Sequence, residues 1–323
     1  MKQTMRFYNI SKKDKCLKLI IKDDKSGVAL ILVLWIMVML IAIVGEFTYS
    51  MRTELNIARN FKEEEESYQL ALAGIEHAKL EILSAKEPFY VYINEEGILV
   101  FGQKKEISVV RHGELENGIF SYTITDEDGK LNINTASLPQ LKYIIKKTGV
   151  DVTEVDTIVD SIIDWRDANN LHMLNGAEED YYQSLENPYS CKDGPFDSID
   201  ELLLVKGVKR EIFYGMKNDE EKKYSGIEQF FTAWSSNRIN INTAPREVLE
   251  AVLGLKAADN IINQRVTGTI LTPVSGGSTT SFFFTIISTG SAKDGKINRT
   301  VKTTLKKNGD KLEVIYWNDN LIG

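Results

Sequence analysis

From Val28 to Val44 the chain reads VALILVLWIMVMLIAIV, an unbroken apolar run near the N-terminus. An α-helix needs about 17 to 25 apolar residues to cross a hydrocarbon core, so this run is long enough to hold the chain in a membrane. Upstream lie Lys12, Lys13, Lys15, Lys18, Lys22 and Lys25. Positive charge kept on the cytoplasmic side predicts that everything after Val44 faces outward. No small-residue signal-peptidase site follows the run, and the pattern continues as helix from Glu46.

Charge and cysteine content narrow the possible functions. The first 27 residues carry eight Lys or Arg against three Asp or Glu, a net of +5, so the remainder of a chain with net charge −7 carries −12. An acidic domain is poorly suited to nucleic acid or to an anionic membrane surface. Of the two cysteines, Cys16 lies in the basic stretch before the apolar run and Cys191 in the acidic remainder. His77, His112 and His172 are scattered, and no nucleophile, acid–base pair or phosphate-cradling loop accompanies them. No enzyme is expected.

Between Glu46 and Lys86 there is no proline, and Phe47, Leu55, Ala58, Phe61, Leu70, Ile75, Ala78 and Leu83 recur at helical spacing. One helix from the apolar run to Ser84 is predicted, about 85 Å long at 1.5 Å per residue, with Pro88 marking its exit. Alternating segments follow: YVYINEEGILVFG, KEISVVRHG and GIFSYTITDEDGK. Strands return after residue 281, with hairpin turns expected at Asp294-Gly295 and Asn308-Gly309-Asp310. The stretch between, from Gly129 to about Thr267, reads as helical. A sheet split around a helical insertion is therefore expected, with SGGSTTS at 275–281 as a flexible joint.

The helical block contains an echo, LNINTASLPQLKYII from Leu131 and ININTAPREVLEAVL from Ile239. Asn and Thr of each NINTA can cap a following helix, with Leu141 and Leu249 as first core anchors. Between the copies, FDSIDELLLVKGVKREIF reads as a helix, a Lys-Gly-Val turn and a second helix, resembling the helix-hairpin-helix units of competence-type DNA-binding proteins. Lys206, Gly207, Lys209 and Arg210 would then face phosphate. The surrounding Glu178, Glu179, Asp180, Asp197, Asp200 and Glu201 oppose that reading, and the same unit also serves as plain packing.

Residues 161–203 are rich in oxygen ligands and aromatic rings, with Gly176, Pro188, Gly194 and Pro195 marking loops. A hard divalent cation such as Ca²⁺ takes six to eight oxygens, which loops supply readily. The candidates are Asp164, Asp167, Asn169, Glu178, Asp180 and Asp193. A solvated acidic loop explains the same composition, since the EF-hand spacing is absent.

Two sets of residues carry a family resemblance. Lys25-Ser26-Gly27 followed at once by the apolar helix resembles the cleavage junction of type IV prepilins and pseudopilins. Then DGKLNINTA, IIDWRD, NGAEEDYY, NPY, GPF-x-S-I-x-ELLLVKGV, ININTAP and the terminal VIYW together resemble the K-type minor pseudopilin of type II secretion. Leu32, at the fifth position after Gly27, replaces the glutamate of major pilins and fits the same family.

The resemblance implies an α+β fold with a long N-terminal transmembrane helix, a pilin-like antiparallel sheet and a large all-α insertion of helix-hairpin-helix or SAM-like units. Its segments would be a leader at 1–27, a membrane and stem helix at 28–87, sheet at 88–128, insertion at 129–274 and sheet again at 275–323. It implies cutting between Gly27 and Val28 with methylation of the new terminus, and calcium in the insertion. The chain would sit in the inner membrane by a single pass, with its C-terminal domain in the periplasm. I- and J-type minor pseudopilins, the pseudopilus and the inner-membrane secretion platform would be its partners, and nucleic acid would not.

Overall fold

The computed structural model describes residues 13–85, 90–94, 97–102, 111–217, 222–293 and 296–321. Helix α1 runs unbroken over Lys13–Ser84. It therefore reaches its expected end at Ser84 and also continues upstream through Gly27, whose position on the helix is open. Pro88, the Asp294-Gly295 turn, all of KEISVV, the leader before residue 13 and the leader's lysine side chains lie outside the described residues.

The chain divides into two compact units, one ending at Lys62 and one spanning Glu63–Gly323. In the first, every side chain of the Val28–Val44 run is exposed. Among the described residues this helix alone is long and apolar enough to cross a membrane. In the second, the C-terminal turns of α1 bury Leu70, Ala71, Ile75, Ala78 and Ile82, a single face set by helical spacing.

That face packs on a five-stranded antiparallel sheet. Its strands lie in the order Lys311–Leu321, Asn298–Asn308, Phe283–Ala292, Gly118–Asp126 and His112–Leu115. Strand Gly118–Asp126 alternates buried and exposed along its whole length, and Phe120, Tyr122 and Ile124 join Phe284, Ile286, Val301 and Leu305 beneath α1. Gly290 permits the close approach, because a Cβ there would overlap the α1 backbone at Ser67 O and Ala71 N. A separate hairpin joins Val91–Ile93 to Leu99–Phe101.

Strands Gly118–Asp126 and Phe283–Ala292 are hydrogen-bonded neighbours, and everything between them forms one inserted body. Its core is a continuous cluster of buried residues running from Leu131 to Ile261. The insertion is not all-α. It contains parallel two-residue pairings of Leu131–Asn132 with Phe231–Thr232 and of Ile239–Asn240 with Gly277–Ser278. An antiparallel pairing joins Met216 to Tyr224.

The NINTA echo is structural down to single hydrogen bonds. In the first copy Asn132 Oδ1 accepts the Asn134 N–H (2.9 Å), and in the second Asn240 Oδ1 accepts the Asn242 N–H (3.0 Å). The second asparagine of each copy acts as a detached backbone unit. Asn134 accepts the Phe196 N–H (2.7 Å) and donates to Phe196 O (3.0 Å), while Asn242 accepts the Ile270 N–H (2.8 Å) and donates to Ile270 O (2.9 Å). A helix follows each, α2 (Leu138–Lys147) and α6 (Arg246–Leu253), with Leu141 and Leu249 fully buried.

Left-handed Gly149 and Gly254 then turn the chain into α3 (Val152–Arg166) and α7 (Leu255–Thr267). Each of these ends with an arginine bonded to the NINTA isoleucine carbonyl, Arg166 to Ile133 O and Arg265 to Ile241 O (2.6 Å). The asparagines therefore do not cap the helices, as their sequence position suggested. Ser137 caps α2, its N–H donating to the Gln140 side chain (2.9 Å), and Pro245 precedes α6.

Two further expectations change. FDSIDELLLVKGVKREIF forms a 3₁₀ turn over Ile199–Leu204, a left-handed turn at Gly207 and a short helix α5 (Arg210–Tyr214), because Val205 leaves helical geometry. The 275–281 segment is no flexible joint. Ser278 O accepts the Ile241 N–H (2.8 Å), Ser281 is fully buried, and its hydroxyl donates to Asp126 (2.6 Å).

Asp126 and Asp128 fasten the insertion where it leaves and rejoins the sheet. Asp126 Oδ2 accepts from Asn240 Nδ2 (2.9 Å), Thr243 Oγ1 (2.6 Å) and Ser281 Oγ (2.6 Å). Asp128 accepts from the backbone N–H groups of Ser236 (2.6 Å), Phe282 (2.6 Å) and Phe283 (3.2 Å). Burial and then the charge of Asp128 push the Asp126 carboxyl up to about 7.

Candidate metal centre

Helix α3 begins at Asp151, whose carboxylate accepts the Thr153 N–H (2.9 Å), and it is unusual in burying polar residues along with apolar ones. Val155, Ile158, Val159 and Ile162 face the core, while Asp160, Ser161 and Asp164 are also buried. The loop that follows α3 folds back over them. Asp160 Oδ2 accepts from the Asn175 backbone (3.1 Å) and side chain (3.0 Å), and Asp164 accepts the Met173 N–H at 3.1 and 3.2 Å. Gly176 comes so close to Asp164 that a Cβ there would overlap the carboxylate.

This fold-back delivers Glu178. Its carboxylate meets those of Asp164 and Asp167, with one ligand atom of each within 4.8 Å of the others. It also belongs to a second group with Cys191 and Asp193, on the same distance criterion. Glu178 is 1 % exposed, and neither of its carboxylate oxygens has a hydrogen-bond partner. Asp193 Oδ1 is buried and unpartnered as well. Burial first, then the charges of Asp164, Asp167 and Asp193, push Glu178 up to about 7. Burial also raises Asp164, and it raises the Cys191 thiol to about 12.

Of the six residues singled out in the sequence, Asp164, Asp167 and Glu178 meet directly, and Asp193 joins through Glu178. Asn169 and Asp180 stand outside both groups. Asn169 bonds Asp167 Oδ1 through its backbone (3.0 Å) and side chain (2.7 Å), and exposed Asp180 pairs with His172 (3.0 Å). Cys191 is the residue that sequence reading left out, because it read as an isolated free thiol. It is buried, and its N–H donates to Glu179 (2.7 Å). In the same segment Trp165, Tyr182 and Tyr189 pack on one another, with ring centroids 5.1 to 6.3 Å apart.

A buried carboxylate with two orphan oxygens beside other carboxylates is a costly arrangement without a cation. The donor set of Asp164, Asp167 and Glu178 is all oxygen, and such a set suits a hard ion. It fits calcium.

The basic residues of the alternative reading are engaged elsewhere. Lys206 donates to Gly176 O (2.9 Å) and lies 4.8 Å from the Tyr181 ring centroid, so it braces the acidic loop. Lys209 pairs with Glu154 (2.8 Å), and Arg210 lies over Tyr214.

A long helix with an exposed apolar N-terminal half, its C-terminal face on an antiparallel sheet that is interrupted by a helical body, defines a pilin-like protein. The model of the type II secretion system (T2SS) protein K family matches residues 121–217, which span the junction, the first NINTA copy and the whole acidic segment. A type II secretion system protein K of Aeromonas hydrophila is 22 % identical over 254 residues, covering 72 % of this chain and 71 % of that one. A putative one of Escherichia coli K12 is 23 % identical over 209 residues, 59 % and 60 % of the two chains. One from Pectobacterium carotovorum is 31 % identical over 72 residues, and the match spans 22 % of its length.

Among solved structures, the GspK-GspI-GspJ complex of the enterotoxigenic Escherichia coli type 2 secretion system contains a chain of similar fold. The TM-score is 0.56 at 17 % identity, over 84 % of this chain and all of that one. The chain is thus similar to type II secretion system protein K, by the family model over residues 121–217 and by fold over most of its length.

Proposed function

We propose that this chain is a minor pseudopilin at the tip of a type II secretion pseudopilus, where it starts assembly with I- and J-type minor pseudopilins for export across the outer membrane. The observation that carries this is the helical body inserted in a pilin-like sheet, in the segment the family model matches. The apolar half of α1 is the single-pass anchor, and the lysine-rich leader keeps its N-terminus cytoplasmic and the second unit periplasmic. The leader is removed between Gly27 and Val28 and the new terminus methylated. The work is structural: α1 packs among partner helices, and the bulky insertion, built on helix-turn-helix packing units, crowns the fibre.

Calcium is held by Asp164, Asp167 and Glu178, and its charge offsets the repulsion that otherwise strains the fold-back of 167–178. The chain's own residues set up the site. The Met173 N–H orients Asp164, Gly176 admits its carboxylate, and Lys206 ties the loop down.

Pull-down from a detergent extract of the native host tests the assembly. I- and J-like pseudopilins are expected to co-purify with the wild-type chain. Their absence, or a mature chain that retains Met1 in mass spectrometry, overturns the reading.

A further inference from the structure

The face of the five-stranded sheet opposite α1 carries a row of hydroxyls. Thr125, Thr285, Thr304 and Tyr316 are successive cross-strand partners on four adjacent strands, and Ile287 and Lys302 pair in the next row. The inserted body folds over this row, and the two enclose a cavity of about 290 Å³ in which Trp234 and Tyr316 lie together, half-buried, with ring centroids 5.3 Å apart. Ligand pockets run from about 300 to 1,000 Å³, so this one suits one or two rings. Thr285 and Thr304 are 6 % and 1 % exposed, and their hydroxyls bond each other (2.9 Å). Two hydroxyls hold two protons and use one between them. Among the described residues neither has a second partner, so one buried O–H is left for an acceptor in the cavity. Charge limits that acceptor. Lys302 is matched by Asp200 (3.8 Å) and Lys130 by Glu127 (3.0 Å), and Glu228 adds negative charge, so the lining selects against anions. A neutral ring with an apolar face for the aromatic pair and a carbonyl for the threonine proton fits this lining. A sugar hydroxyl fits it less well, because it brings a proton of its own.

We propose that this cavity binds an N-acetylated amino-sugar ring of a saccharide, its apolar face against Trp234 and Tyr316 and its acetamido carbonyl accepting from the Thr285–Thr304 pair. The binding is non-covalent. The cavity shares no residue with the acidic groups between 164 and 193. It does not rest on the assembly reading either, which the pull-down tests by itself.

The test is isothermal titration calorimetry of the full-length chain, in a detergent without a sugar headgroup, against the trimer of N-acetylglucosamine. The expected result is saturable binding with a Kd below about 10 mM, and binding of cellotriose, which lacks the acetamido groups, about tenfold weaker. Thr285→Val combined with Thr304→Val should weaken the trimer about tenfold and level the two sugars. That double variant should fold, because replacing both partners of a hydrogen bond by apolar groups of the same shape is nearly neutral. Thr289→Val with Thr300→Val removes a like pair (2.9 Å) that does not line the cavity, and should leave binding unchanged. Trp234→Ala should weaken both sugars alike. Retention on purified cell-wall sacculi, competed by the trimer, identifies wall glycan as the source of the ring, and trimer binding without retention identifies a free oligosaccharide. No saturation below about 10 mM, equal affinity for cellotriose, or equal losses from the two threonine pairs overturns the proposal.

Discussion

The two NINTA units share a pentapeptide, an asparagine clamp, a glycine turn and a terminal arginine, yet they do different work. In the first unit α3 is buried on two faces, and the second of these carries Asp160, Asp164 and Trp165 into the acidic loops. In the second unit α7 buries only Ala258 and Ile261, and its other faces are polar or exposed. The second unit instead turns its NINTA hydroxyl and amide onto Asp126, while the corresponding Thr135 donates to exposed Asn237 (2.9 Å). One local fold thus serves as a ligand platform in one place and as a fastening to the sheet in the other. What decides between them is the chain that reaches each unit from elsewhere.

The largest test of that division is Asp126→Ala. It removes the buried acceptor shared by Asn240, Thr243 and Ser281, of which Asn240 keeps Val91 O (3.1 Å), and should cost about 3 kcal/mol in denaturant unfolding, since each unsatisfied buried group costs about 1–3 kcal/mol. Thr135→Ala in the other unit should change stability by no more than about 0.5 kcal/mol. Equal losses would erase the distinction between fastening and platform.

Cation removal comes next and should strike only the first unit. A ligand that binds only the folded state stabilises it by about 2.7 kcal/mol at a hundredfold excess over Kd. Chelation is therefore expected to lower the melting temperature and to raise amide exchange across 164–193 but not across 246–267. Glu178→Gln should abolish the calcium response. Gly176→Ala should do so too, by displacing the Asp164 carboxylate. A response spread evenly over both units would break the comparison.

A smaller effect should treat the units alike. Asn134→Ala and Asn242→Ala each leave a backbone N–H and C=O without their amide, and each should cost about 1–3 kcal/mol by unfolding. If only one of them is destabilising, the clamps are not equivalent.

The smallest effect is on pH. Asp126 holds its proton up to about 7 in the folded chain, against an ordinary 3.8 when unfolded. The folded state thus binds more protons in that interval, so this group's contribution is fully present below about 4 and is lost as pH rises through 7. With saturating calcium keeping Glu178 ionised, the melting temperature should fall between pH 5 and 8. Asp126→Asn should flatten that slope, which differential scanning calorimetry can read.

Much of this was legible in sequence. An apolar run and a proline-free heptad-like pattern define α1 up to Ser84 whatever surrounds them, because helix periodicity is local. Strict alternation did the same for Gly118–Asp126. Local signals failed where distant chain takes over. The 275–281 stretch looks like a linker by its glycines and serines, but Ser278 and Ser281 find partners in Ile241 and Asp126. FDSIDELLLVKG has helical composition, yet its backbone follows the demands of packing Leu202, Val205 and Val208 and ends in a 3₁₀ turn.

The candidate site divides in the same way. Sequence by itself determined that residues 161–203 are rich in oxygen ligands on loops, and that the chain carries a membrane-length helix and a repeated NINTA unit. Only the tertiary structure decided that Glu178 rather than Asp180 turns inward, that Asn169 supports Asp167 from outside the cluster, and that a thiol completes a second group. The reason is physical. Composition sets which atoms can act as ligands, but convergence within 4.8 Å and loss of water come from α3, the fold-back at Gly176 and the turn at Asp193 meeting in space, and burial is what leaves those oxygens without partners.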